Sequence, residues 1–169
     1  DGAYNDRRAS CEAAVRILAL GRPEIRALRD VAPEELEGAL GELPDDVLRR
    51  RCRHVVTENA RVGEAVTALR AGDLPRVGAL MRASHESLRC DYEVSCEELD
   101  FLVEAAGRCD GVLGSRLMGG GFGGSTINLV RPDAVADVAA ALRESYRARY
   151  GKVPGIHVCR PADGARRVR

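Results

Sequence analysis

The chain has 169 residues, 26 Lys+Arg against 26 Asp+Glu, and a hydrophobic share of 45%. That suits one domain, or one part of a larger enzyme, and is too apolar for a disordered chain. A formal net charge of zero argues against nucleic acid, which calls for a clustered basic face, and no apolar run approaches the roughly 18–20 residues of a membrane span.

The chain opens Asp1-Gly2-Ala3-Tyr4, with neither an initiator Met nor a signal peptide's apolar core. The expectation is a piece of a longer protein. Arg7 to Leu20 carries Cys11, Ala14, Val15 and Leu18 at helical spacing, and Gly21 and Pro23 end that helix. Pro33 starts a short helix over Glu34-Glu35-Leu36, with acids where the helix dipole favours them. Pro44-Asp45-Asp46 starts a long helix whose stripe (Leu48, Cys52, Val55, Asn59, Val62, Val66, Leu69) reads as a buried face with one polar interruption. Gly72 closes it, and Asp73 caps another helix through Val77, Leu80 and Met81. Ser95 to Glu98 reads as a capping box, with Ser95 at the cap, ahead of a helix through Leu99, Leu102, Val103 and Ala106 to Gly107.

The second half changes character. Gly111 to Met118 and Ser125 to Val130 read as strands flanking Gly119 to Gly124. Pro132-Asp133 opens a helix through Val135, Val138, Ala139, Leu142 and Tyr146. Ile156 to Arg160 reads as a further short strand, and the tail from Ala162 to Val168 as a last edge strand. The fold class is α+β, helices on a small, mainly antiparallel sheet. Residues 1–95 are mainly helical, and 96–169 are mixed around a glycine-rich hairpin loop.

Lys152 is the only lysine, so there is no Walker A phosphate loop. The six cysteines form no CxxC pair and read as free thiols in a reducing cytoplasm. Cys52 and His54 are two apart and diverge on a helix, so they make a poor metal pair. Asp91, Glu93, Glu97, Glu98 and Asp100 crowd one stretch, which caps and surface pairing explain better than a metal.

The loop Gly119-Gly120-Gly121-Phe122-Gly123-Gly124 formally matches GxGxxG. Its strand–loop–strand setting excludes a dinucleotide fingerprint, which needs a helix after the loop. A protein-kinase glycine loop is excluded too, because its companion motifs are missing. Two physical readings stay open: an anion-binding nest of backbone amides, or clearance for close packing. Phe122 either plugs a core gap or lines a nucleotide site. Arg116 either approaches a phosphate or pairs with a buried carboxylate. His85 reads better as a helix-end histidine satisfied by neighbours than as a general base, and His54 as packing or a hydrogen-bonded surface group. Arg49 to Arg51 and Arg53 read as a solvated basic face.

Several segments together resemble the C-terminal part of galactokinases, within the GHMP family of small-molecule kinases. They are Tyr4-Asn5-Asp6-Arg7-Arg8 with Cys11-Glu12, Arg53 to Asn59, Leu80 to Arg89, Asp91 to Cys96, Glu98 to Asp100, Gly114 to Gly124, and Ala162 to Ala165. The resemblance implies ATP- and Mg²⁺-dependent phosphorylation of galactose to galactose 1-phosphate. It implies an N-terminal domain, absent from this chain, that supplies most of the site: a GRVNLIGEHTDY-type sugar segment, a PxGxGLSSSA-type phosphate loop, and the Asp and Arg that handle the sugar hydroxyl. Tyr4 corresponds to the family tyrosine at the sugar. Gly119, Gly120, Gly121, Phe122, Gly123, Gly124 and Ser125 correspond to the nucleotide-side glycine motif. No catalytic residue and no metal ligand is assigned to this chain, which is expected to be inactive alone. The alternatives are a non-catalytic sugar or nucleotide sensor of galactokinase type, and a GHMP kinase for N-acetylgalactosamine.

Overall fold

The computed structural model describes residues 2–162 together with Gly164 and Arg167. Helix α1 spans Gly2–Leu18, starting five residues before Arg7, where the sequence places its start. Its first two turns are exposed and so carry no stripe to announce them. After two 3₁₀ turns, Leu28–Asp30 and Pro33–Glu35, comes the short helix α2, Leu36–Glu42. The helix expected at Pro33 is therefore a 3₁₀ turn that leads into α2.

Helix α3 spans Asp46–Ala71 between an Asp45 cap, whose side chain accepts from the Leu48 amide, and Gly72 in the left-handed conformation. Only the first half of its stripe is buried. Val62, Val66 and Leu69 are exposed, Val62 at 58%, so the expectation of a buried face along the whole helix is corrected. Helix α4, Leu74–Cys90, is capped by Asp73. Helix α5, Glu97–Gly107, takes Cys96 rather than Ser95 as its cap. The Ser95 hydroxyl donates instead to Asp100, at 2.5 Å, so no capping box forms at Ser95 and the cap position moves to Cys96, whose side chain makes no cap bond.

Strands β1 (Val112–Met118) and β2 (Ser125–Val130) form an antiparallel pair, with Met118 opposite Ser125 and a bulge near Gly114. Helix α6, Val135–Tyr150, follows a 3₁₀ turn. The α+β reading holds, with a smaller sheet than expected. Ile156 to Arg160 joins no ladder among the described residues, although Ile156 packs beside α5 and α6. The edge strand expected over Ala162 to Val168 lies largely outside the described residues.

Three apolar clusters hold the elements. Leu18, Leu43, Cys52 and Val56 anchor the first, between α1, α2 and α3. Leu88, Val94, Leu99 and Leu117 tie the α4–α5 turn to β1. Ala106, Val138 and Leu142 join α5 to α6. Helix α4 meets β1 backbone to backbone. A Cβ on Gly78 would lie 1.9 Å from the Leu113 carbonyl oxygen, and one on Gly114 would lie 2.5 Å from the Gly78 Cα.

Candidate functional site

The β1–β2 hairpin presents its glycine loop beside the turn between α4 and α5. Gly119, Gly121, Gly123 and Gly124 all have positive φ, between 81° and 127°, which an L-side chain would adopt only under strain. The clearance reading is met at one position of the loop. Gly121 provides clearance, since a Cβ there would sit 2.1 Å from the Val94 carbonyl oxygen. At Gly119, Gly120, Gly123 and Gly124 a Cβ would meet nothing within 4 Å, so that side of the loop is bare backbone open to approach. Of the loop amides, only that of Phe122 is tied to another element among the described residues, donating to Val94 O at 2.7 Å.

Phe122 plugs no core gap. It is 45% exposed, holds φ +58°, and has the Arg7 guanidinium 5.6 Å from its ring centroid. Ser125 follows as the exposed first residue of β2. Tyr4 lies on α1, 58% exposed, one turn before Arg7 and so on the same helix face. Arg7 reaches away from its helix. Its Nε donates to Tyr92 O at 2.8 Å and its Nη2 to Glu93 O at 2.7 Å. The structure thus brings the Tyr4 helix turn and the glycine loop to one turn of chain, residues 91–94.

Sequence reasoning gave Arg7 no separate role, because its partners lie 85 and 86 residues away and no local pattern encodes them. It also placed Arg51 on a solvated face. Arg51 is 3% exposed, and it donates to Asp91 O and to Glu93 Oε2. Arg50 pairs with Asp46 and Glu93, and Arg53 with Asp91 at 3.5 Å. Arg116 resolves to its carboxylate reading: it pairs with Glu58 at 3.3 Å. Burial would raise the Glu58 pKa, but the Ser84 hydroxyl and the Arg61 guanidinium, with Arg116, hold it below the usual range.

Both buried histidines are hydrogen-bonded within the fold. Ser87 gives its hydroxyl proton to Asp91 at 2.9 Å, so at 3.0 Å it accepts from His54, whose proton is on Nδ1. His54 also stacks on Tyr92, with centroids 4.4 Å apart, and burial pushes its pKa down to about 4. His85 has the opposite tautomer. Its Nδ1 accepts from the Leu117 amide at 3.3 Å, which leaves Nε2 to donate to Asp100 at 3.2 Å. Burial lowers its pKa as well. With both ring nitrogens engaged, His85 is a strut between α4, α5 and β1 and not a free base. The nearby carboxylates are similarly committed, Glu97 to Arg149 and Glu93 to Arg50 and Arg51. Among the described residues no group of three or more His, Cys, Asp or Glu is placed to hold a metal.

Residues 65–148, which include the glycine loop and its anchoring turn, match the family described as GHMP kinases C terminal. The chain is 48% identical over 98% of its length to a galactokinase of Roseiflexus sp. (strain RS-1), and 49% identical over 95% to one of Chloroflexus aurantiacus. Residues 65–148 are a C-terminal domain of the GHMP kinase family. The chain that carries this GHMP kinase domain spans less than half of these relatives, 42% and 41% of their lengths. The crystal structure of Lactococcus lactis galactokinase complexed with galactose superimposes with a TM-score of 0.85 at 38% identity, over 90% of this chain and 39% of that one. The GHMP kinase match covers the glycine loop but stops short of Tyr4 and Arg7, which lie within the longer galactokinase similarity.

Proposed function

We propose that this chain is the C-terminal region of a cytoplasmic galactokinase that transfers the ATP γ-phosphoryl group to the anomeric hydroxyl of galactose. One observation carries the reading: similarity to galactokinases extends over nearly the whole chain, and it takes in the glycine loop, whose backbone is open on one side. Phosphoryl transfer depends chiefly on positioning and on stabilising charge. Backbone amides in left-handed conformations suit phosphate oxygens and need no catalytic side chain. Gly119 to Ser125 are assigned to the nucleotide's phosphates and Tyr4 to the sugar. No described carboxylate cluster fits Mg²⁺, so in this reading the ion is held by the N-terminal domain, which is also the chain's main partner. That domain supplies the groups that handle the sugar hydroxyl.

The test is galactose-dependent ADP release by the full-length protein and by this chain alone. Turnover by the full-length protein with none from the chain is expected. Turnover by the chain alone would overturn the division of labour. Binding of galactose or nucleotide by the full-length protein without turnover would replace the kinase reading with a sensor. Competition with N-acetylgalactosamine decides between the two sugars.

A further inference from the structure

We propose that Arg7 is a positioning residue that couples the helix turn bearing Tyr4 to the glycine loop through the Asp91–Val94 turn. The functional meaning of the two ends rests on the galactokinase reading, whereas the coupling itself rests on geometry. Four successive carbonyls of this turn each accept from another element. Asp91 O accepts from Arg51 of α3, Tyr92 O and Glu93 O from Arg7 of α1, and Val94 O from the Phe122 amide of the loop. The turn is therefore a hub whose donors come from three places remote in sequence. Arg7 is the group that touches both the hub and the loop, since its guanidinium also lies against the Phe122 ring.

The side-chain chemistry is specific. A planar guanidinium presents two donors to two adjacent carbonyls and still offers a face to an aromatic ring, whereas a lysine ammonium is a single point charge. The coupling matters because Phe122 holds a left-handed conformation at +58°, which costs energy unless its surroundings impose it. Removing Arg7 takes away the contact to the ring and loosens the turn that receives the Phe122 amide. The neighbouring glycine amides then lose their fixed direction. Tyr4, one turn earlier on the same helix face, sits at the other end of the connection, so placement of the sugar and placement of the phosphates share one strut.

The experiment uses the full-length protein carrying Arg7→Met, which keeps the stem and removes the donors. Arg7→Lys is the conservative variant, and Arg8→Met is the control, because Arg8 is exposed and among the described residues pairs only with Glu12. Hydrogen exchange at the Phe122 amide is expected to accelerate by about tenfold or more in Arg7→Met and to stay unchanged in Arg8→Met. The KM for ATP is expected to rise about tenfold with a smaller fall in kcat, as displaced positioning groups do. Arg7→Lys should fall between wild type and Arg7→Met. A purely structural role would lower the melting temperature while leaving the exchange at Phe122 and the KM for ATP of the folded protein unchanged, and that result overturns the proposal. If Arg7→Met does not fold, Phe122→Leu takes its place; an unchanged KM for ATP there sinks the coupling. If wild type does not phosphorylate galactose, the functional reading fails, and the exchange measurement still decides the strut.

Discussion

His54 and His85 sit on neighbouring helices, and each carries its proton on the nitrogen its surroundings demand. His54 is held at about 4 in the folded chain, against roughly 6.5 unfolded. Between those values the unfolded state binds more protons, so stability is full above pH 6.5 and is lost as pH falls towards 4, by on the order of 2–3 kcal/mol. Urea unfolding at pH 7 and pH 5 should show this loss, and His54→Gln should flatten the slope without abolishing it, because His85 is shifted in the same direction. The loop glycines give a second residue-scale expectation. Gly121→Ala places a methyl against Val94 O at positive φ and should cost about 2–3 kcal/mol. Gly120→Ala meets nothing and should change stability by less than about 0.5 kcal/mol. Equal costs for the two would refute the assignment of clearance to Gly121.

At the scale of elements, helix α4 and strand β1 touch without side chains between them. Gly78→Ala would drive a methyl into the Leu113 carbonyl, and fixed backbone on both sides cannot yield cheaply. A loss of about 3 kcal/mol is expected in thermal or urea unfolding. Gly63, exposed in the interior of α3 with open space at its Cβ position, is the opposite case, and Gly63→Ala should stabilise by about 0.5–1 kcal/mol. A penalty at Gly63 would mean that the exposed half of α3 is in contact with something that the folded chain does not show. The helix boundaries at Asp45, Gly72 and Asp73 were legible because caps are local chemistry. The displaced cap at Cys96 was not legible, because Asp100, two residues beyond the expected box, competes for the Ser95 hydroxyl.

Across the whole molecule, three clusters hold three groups of elements, and polar struts join them: Arg7 and Arg51 at the hub, Glu58 with Arg116 between α3 and β1. The surface beside the loop is apolar for a place so rich in exposed backbone, with Tyr4, Met118, Phe122 and Ile127 all substantially exposed. If the remainder of the protein covers this face, as the proposed function requires, the chain alone should self-associate as concentration rises. Analytical ultracentrifugation of the chain and of the full-length protein checks this. A chain that stays monomeric would count against a covered face.

Read alone, the sequence determined the helix order, the capped ends of α3 and α4, the α+β class, the hairpin around the glycines and the resemblance to a kinase family. Each of these rests on period, local capping or contiguous motif. Only the tertiary structure decided which half of the α3 stripe is buried, that Arg51 is interior, that Arg116 belongs to Glu58, and that Arg7 reaches a turn more than 80 residues away. Burial and long-range pairing depend on which surfaces meet, and a linear pattern of apolar and charged residues does not specify that.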